Sequence, residues 1–383
     1  RTVAKFNKAT TTSLLGPKQV LLELHMKKTL CALAVGATIL TPVMAAAADV
    51  KVYGRAHVSL DYLDDGKDYN EVALSSNSSR LGFKVDHKIN EDLTAFAQIE
   101  QQINFSSGSD DSEDSINFST RDTYVGVKGN FGQVKVGRFD SPFKAARGPA
   151  NFFGDQVGDL RNITRAYNHR FDERNPNTIE YKTPKFGGGF TATAALSLHD
   201  GTMISNDTTE DSNEKSQAYD LGLNYNAGNW DVAAAYEHYA EDVSRGERDG
   251  IRLAAAYKLT PELNVGALYQ FTALDDGSGT NADANVFGVG AEYKLTDKNT
   301  LRGHVFHRDI DTADANSTLL ALGLEHRLDK QFRVYGNLAA MLNDDAANLT
   351  PWSQARSNKA GSSQGVNAAG ETAMGLSVGM RYD

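Results

Sequence analysis

Hydrophobic and polar residues alternate with a period of two along most of the chain beyond residue 49, the pattern of strands with one apolar and one polar face. In the final segment Met374, Leu376, Val378, Met380 and Tyr382 fall on one side, and Ala373, Gly375, Ser377, Gly379 and Arg381 on the other. Near residue 50, Val50, Val52, Ala56, Val58, Leu60 and Tyr62 alternate with Lys51, Tyr53, Arg55, His57, Ser59 and Asp61. In 318–328, Leu320, Leu322, Leu324 and Leu328 alternate with Ala321, Gly323, Glu325 and Arg327. The predicted strands run about 10–14 residues. That exceeds the ~5–6 usual in soluble sheets and suffices for a tilted membrane crossing of roughly 9–11 residues.

The connections alternate between short and long. Short turns are predicted at 90–92, 130–132, 184–189, 226–229, 260–262, 296–299 and 329–330. Longer polar loops are predicted at 64–77, 106–115, 141–174, 201–214, 242–246, 275–281, 312–316 and 345–369. Seven turns and eight loops join sixteen strands. A β-sandwich would share the alternation, but here the polar face carries charged and small residues, which suits a wet interior. The expected fold is all-β, a sixteen-stranded antiparallel transmembrane β-barrel with short periplasmic turns and long outer loops. Closure leaves no sheet edge and satisfies every backbone group inside lipid. Barrels of 16–18 strands enclose an aqueous channel, so the strand count is also a statement about function.

The start of the chain reads differently. Met26-Lys27-Lys28, the apolar run Leu30 to Met44 and the small residues Ala45 to Ala48 form a secretory signal. The run is too short to cross the roughly 30 Å hydrocarbon core as a helix. Residues 1–25 read as a non-native upstream extension, 26–48 as the signal peptide and 49–383 as the barrel. The lone cysteine, Cys31, lies in the leader, so the barrel segment holds none and owes nothing to disulfides. The eight prolines lie in the leader, at turns or in long loops, as strand interiors require.

The whole chain carries a formal −10. Residues 1–48 contain six basic and one acidic residue, so the remainder has 33 basic against 48 acidic, a net −15. No clustered basic face of the kind phosphate contacts need is present, so nucleic-acid binding is disfavoured and no nucleic-acid partner is expected. The eight histidines beyond residue 49 are scattered without a recurring Ser or Asp partner, so no enzyme is expected. No cofactor or metal is expected. The acidic tract Asp110-Asp111-Ser112-Glu113-Asp114 reads as a solvated loop tip, since it lacks the spaced ligands and Gly of a calcium loop.

Several short motifs occur in a fixed order: Tyr53-Gly54-Arg55, then Ser79 to Lys84, Arg121 to Lys128, Phe131 to Arg138, Ser141-Pro142-Phe143, Asn177 to Tyr181 and Pro184 to Gly188. In that order and spacing, residues 49–383 resemble the general Gram-negative porins, trimeric diffusion channels of the outer membrane. The family's last strand usually ends in an aromatic residue, whereas this sequence ends Tyr382-Asp383. The resemblance implies a homotrimer surrounded by outer-membrane lipid and lipopolysaccharide, passing small hydrophilic solutes and ions. It also implies that the third long loop, from Ser141 to about Arg174, folds into the barrel and narrows it. Loops of this length without secondary structure are usually functional or disordered. Gly148, Gly154 and Gly158 would permit its tight path, and Asp155 and Asp159 would face the lumen. Opposite it, the resemblance places a basic wall of Arg55, Arg80, Arg121 and Arg165, with Arg170 a looser candidate. Arg55 and Arg80 also fall on the polar faces of their own strands, while either register of 121–128 turns some apolar residue inward. An Arg facing lipid at mid-depth would cost roughly 2–4 kcal/mol, which favours inward positions. Facing rows of opposite charge would order water and penalise apolar solutes. The net charge favours cations, and the wall arginines oppose that preference. The alternative is a substrate-specific sugar or anion channel, which would need a file of aromatic residues along the lumen.

Overall fold

The structure, a computed structural model, describes residues 49–105, 118–166, 169–198, 217–240, 246–275, 282–353 and 366–383. The signal peptide, the upstream extension and the acidic tract 110–114 lie outside the described residues. Sixteen strands follow one another: β1 (Asp49–Asp64), β2 (Asn70–Ser76 continued by Arg80–Lys88), β3 (Leu93–Ile103), β4 (Phe118–Thr120 continued by Thr123–Gly129), β5 (Gly132–Arg138), β6 (Thr178–Lys182), β7 (Phe190–Ser197) and β8 (Ala218–Ala227). After these come β9 (Trp230–Tyr239), β10 (Glu247–Lys258), β11 (Leu263–Asp275), β12 (Ala282–Lys294), β13 (Asn299–Ile310), β14 (Ser317–Arg327), β15 (Phe332–Asn343) and β16 (Thr372–Tyr382). Each pairs antiparallel with the next, and β16 pairs with β1 from Ala56↔Tyr382 to Asp64↔Met374. The sheet therefore closes on itself, as the alternation predicts.

The tight turns are made by side chains that satisfy the backbone locally. The Thr260 hydroxyl accepts from the Leu263 N–H at 3.0 Å, Thr296 from Asn299 at 3.0 Å, and the Asp329 carboxylate from Phe332 at 2.7 Å. The outward face is apolar and uncovered: Val378 is 62% exposed, Leu376 50% and Val125 61%. Residues alternating with them point inward and are buried, as in β16, where Ala373, Gly375, Ser377 and Gly379 line the inside. Among the described residues no helix is long and apolar enough to cross a membrane; the strands do so. At the turn end, Trp230 meets Tyr257 at 4.5 Å and Phe332 meets Tyr382 at 6.5 Å. These rings belong to the belt expected where the bilayer meets water.

One predicted loop is mostly strand. The range 64–77 was expected as a connection because it is polar and Ser-rich, yet β2 begins at Asn70. Its true interruption is at 77–79, where Ser78 has φ 54° and the Ser79 hydroxyl both accepts from His57 N–H and donates to His57 O, each at 2.9 Å. Ala73 and Ser75 point inward before the break, and Arg80 and Gly82 after it. One extra residue has been inserted, which is a β-bulge. A second such break, at 121–122, divides β4.

Candidate functional site: the lumen at loop 3

The connection from β5 to β6, loop 3, folds into the barrel. It contains α1 (Pro142–Ala145), capped by the Ser141 hydroxyl accepting from Lys144 N–H at 3.1 Å, a 3-10 turn (Gly148–Ala150) and α2 (Arg161–Thr164). Phe152, Phe153, Val157, Leu160 and Ile163 pack in one buried cluster with Ala254, Leu268, Val286, Phe306, Leu319, Ala321, Ala339 and Met341 from β10 to β15. Burying a large apolar side chain fully contributes about 1.5–3 kcal/mol, so this cluster is a main hold of the loop on the wall. A second cluster, around Phe143 and Phe171, joins it to β8 and β9 through Ala218, Ala233 and Ala235.

The wall beneath the loop is cut to receive it. A Cβ added at Gly266 would stand 2.8 Å from Pro149 O, one at Gly290 2.6 Å from the Phe152 ring, one at Gly323 2.9 Å from Phe153, and one at Gly375 2.8 Å from Val157. Polar anchors complete the seat. Arg252 of β10 is wholly buried; it donates to Phe143 O at 2.8 Å, to Gln270 Oε1 at 3.0 Å, and pairs with Asp172. Arg147 reaches the same carboxylate at 3.2 Å. Arg302 of β13 donates to Phe152 O at 3.0 Å, and Asn337 of β15 to Gln156 Oε1 at 2.6 Å. From above, Pro351 O accepts from Gly158 N–H and from the Asn162 amide, both at 2.8 Å. Burial would raise the Asp172 carboxyl, but Arg252 and Arg147 outweigh it and hold it well below the usual carboxylate range.

Facing the loop across the lumen are β1 to β4. Arg55 reaches Asp383 at 2.6 Å and Asp155 of loop 3 at 3.6 Å. Arg80 and Arg121 share Glu100 of β3, at 3.8 and 2.6 Å. Both of these arginines emerge at the two bulges. The break at 121–122 resolves the register problem: Val125 points out, Tyr124 and Lys128 point in, and Arg121 still reaches Glu100. Arg138 donates to Arg174 O at 3.0 Å and Thr120 O at 2.6 Å, and Arg174 pairs with Asp122 and with Asp140 at 2.8 Å.

Of the six residues predicted for the site, Arg55, Arg80 and Arg121 lie on the strands facing the loop, and Asp155 lies on the loop. The other two are placed differently. Asp159 is wholly buried, its carboxylate bound by Arg161 at 2.7 Å and by the Asp155 N–H at 2.7 Å, so it braces the loop rather than facing water. Arg165 lies at the end of α2 and pairs with Glu173 at 3.1 Å. It belongs to loop 3 and not to the wall, because the loop continues to Thr178 before β6 begins. Arg170 likewise pairs with Glu173. Asp155 would be raised by burial, yet Arg161 and Arg80 hold it below the usual carboxylate range. The anchors Arg252, Asp172 and Arg302 were not anticipated; the row of inward small residues was the available signal for a seated loop.

Below the loop, at the turn end, opens a cavity of about 580 Å³ lined by seven basic residues, among them Arg55, Arg302, Arg333 and Arg381, and four acidic ones, Asp155, Asp231, Glu292 and Glu325. Its aromatic lining is Phe152 and Trp230.

Comparison with known proteins agrees with this architecture. A family model described as Gram-negative porin matches residues 32–346. Outer membrane porin protein 32 of Delftia acidovorans is 30% identical over 372 residues, covering 93% of this chain and 99% of that protein. A monosaccharide porin of a Halomonas species is 26% identical, covering 70% and 76%. The solved anion-selective porin from Comamonas acidovorans superposes with a TM-score of 0.73 at 25% identity, covering 88% of this chain and 99% of that one.

Proposed function

The chain belongs to the Gram-negative porins, and from that premise we propose that solutes cross between the arginine wall of β1 to β4 and the seated loop 3, with small anions favoured. It is an outer-membrane channel for passive diffusion of small hydrophilic solutes. The observation that carries the finer reading is the seating of loop 3 on β8 to β16, with Arg55, Arg80 and Arg121 on the opposite side. Asp155 gives the loop's edge the opposite charge, so water in the gap is ordered by a transverse field and apolar solutes are penalised. In this reading the protein has no catalytic chemistry, assembles as a homotrimer among lipid and lipopolysaccharide, and reaches the membrane after removal of residues 26–48.

The net acidity of the chain argued for cations. The charge that a permeating ion meets is what matters, because charges beyond a Debye length of about 8 Å are largely screened at physiological salt. Along the path the cavity lining has seven basic residues against four acidic, and the relative from Comamonas is described as anion-selective. A sugar-specific channel would need more aromatic surface than Phe152 and Trp230 provide. The test is the reversal potential of the refolded protein in a planar bilayer under a potassium chloride gradient. A potential of the sign for chloride permeation, with current linear in concentration, supports the reading. Cation selectivity would overturn the charge assignment, and saturating, sugar-blocked current would favour the specific channel.

A further inference from the structure

A cluster of metal-ligating side chains lies away from the lumen. His238 of β9 stands opposite Asp249 of β10 in the ladder, with its Nδ1 3.0 Å from Asp249 Oδ1. Glu247 precedes Asp249 by two residues and shares its face of the strand. One ligand atom from each of the three lies within 4.8 Å of the other two. Alternation puts the cluster on the outer surface: Ile251 and Leu253, next along that face, are exposed, while Arg248 and Arg252 are buried. The cluster sits at the loop end of both strands, where the outer leaflet gives way to water.

Its surroundings fix the imidazole. Tyr219 stacks on His238 with centroids 4.7 Å apart, and the Tyr236 hydroxyl donates to Asp249. Among the described residues neither Glu247 nor Asp249 has a Lys or Arg partner. Two carboxylates held together beside an apolar surface repel each other, and a bound cation removes that cost.

We propose that His238, Glu247 and Asp249 form a divalent-cation site on the outer face of the barrel, suited to zinc or a similar borderline metal. The donor set decides the class. Imidazole nitrogen with carboxylate oxygens is a zinc-type set, with a water completing four-coordination. Calcium and magnesium prefer oxygen ligands alone. The ion would tie β9 to β10 across their upper ends and act on the barrel's stability, not on its conductance.

The test uses refolded, untagged full barrel in detergent, titrated with zinc chloride by calorimetry, with thermal unfolding followed in parallel. One zinc per chain is expected, together with a rise in the unfolding temperature. His238→Ala and Asp249→Asn should each weaken binding by about tenfold or more and abolish the rise. Asp249→Asn keeps an acceptor for Tyr236 and so guards against loss of fold, and unchanged single-channel conductance confirms that the variants are folded. Absence of zinc binding by the wild-type barrel overturns the site, as does undiminished binding in both variants.

Discussion

The two halves of the inner wall differ in what they carry and in what covers them. From β8 to β16 the inward positions beneath loop 3 include Gly266, Gly290, Gly323 and Ala254 beside Leu268, Val286, Phe306 and Leu319, and the loop packs on them. From β1 to β5 they include Arg55, Arg80, Glu100, Arg121, Tyr124 and Lys135, whose charges are paired along the wall. The contrast follows from desolvation. A loop can be laid only on a surface whose burial is favourable, while charged groups taken out of water cost several kcal/mol each unless well paired. Arg252, buried under the loop, is paired there with Asp172 of the loop itself. The small half, with its glycine and alanine notches, thus receives the loop, and on the proposed reading the charged half determines what can pass it.

The sharpest way to break this division is to remove an anchor. Arg252→Ala leaves Asp172 buried with Arg147 alone and is expected to cost roughly 3–5 kcal/mol. Single-channel recording should show larger, noisier conductance as the loop leaves its seat, and urea unfolding a lower midpoint. Next in size is filling the seat. Gly290→Ala would push against Phe152 and the His304 Cβ at 2.6 and 2.8 Å, an overpacking worth about 1–3 kcal/mol. At Gly303, on the opposite face of the same wall, the nearest atom is 3.5 Å away, so Gly303→Ala should leave unfolding and conductance unchanged.

On the charged half the expected effects move to selectivity. Arg80→Ala leaves Glu100 still paired with Arg121 and bonded by Tyr53. Its stability should change by no more than about 1 kcal/mol, while the reversal potential shifts toward cations. The smallest effect is that of mild acid. Asp155 and Asp172 are held below the usual carboxylate range, so their contribution is complete above about pH 4. It is lost only as pH falls further, through their depressed values. Conductance should therefore hold steady between pH 7 and about 4.5.

The outer face and the strands β8 to β16 were legible in the sequence because one residue in two answers to lipid and the others to the interior. The charged half was harder to read. Bulges at 77–79 and 121–122 shift the alternation by one residue, so the upper part of β2 looked like a loop and Arg121 had no clear side. Asp159 and Arg165 were misplaced for a different reason: their partners, Arg161 and Glu173, are set by how loop 3 folds on itself. Periodicity carries no trace of that, nor of pairs such as Asp172 with Arg252, eighty positions apart.

Because the barrel segment contains no cysteine, single thiols can report directly on which half faces the water. The decisive measurement is the rate at which a small charged methanethiosulfonate alters current through Arg80→Cys and Leu268→Cys channels. Both positions point inward, but Leu268 lies beneath loop 3. Rapid modification with a clear step in current at position 80, and none at 268, is the predicted result. Equal reactivity at the two positions would mean that loop 3 does not cover the small half, and would contradict the account.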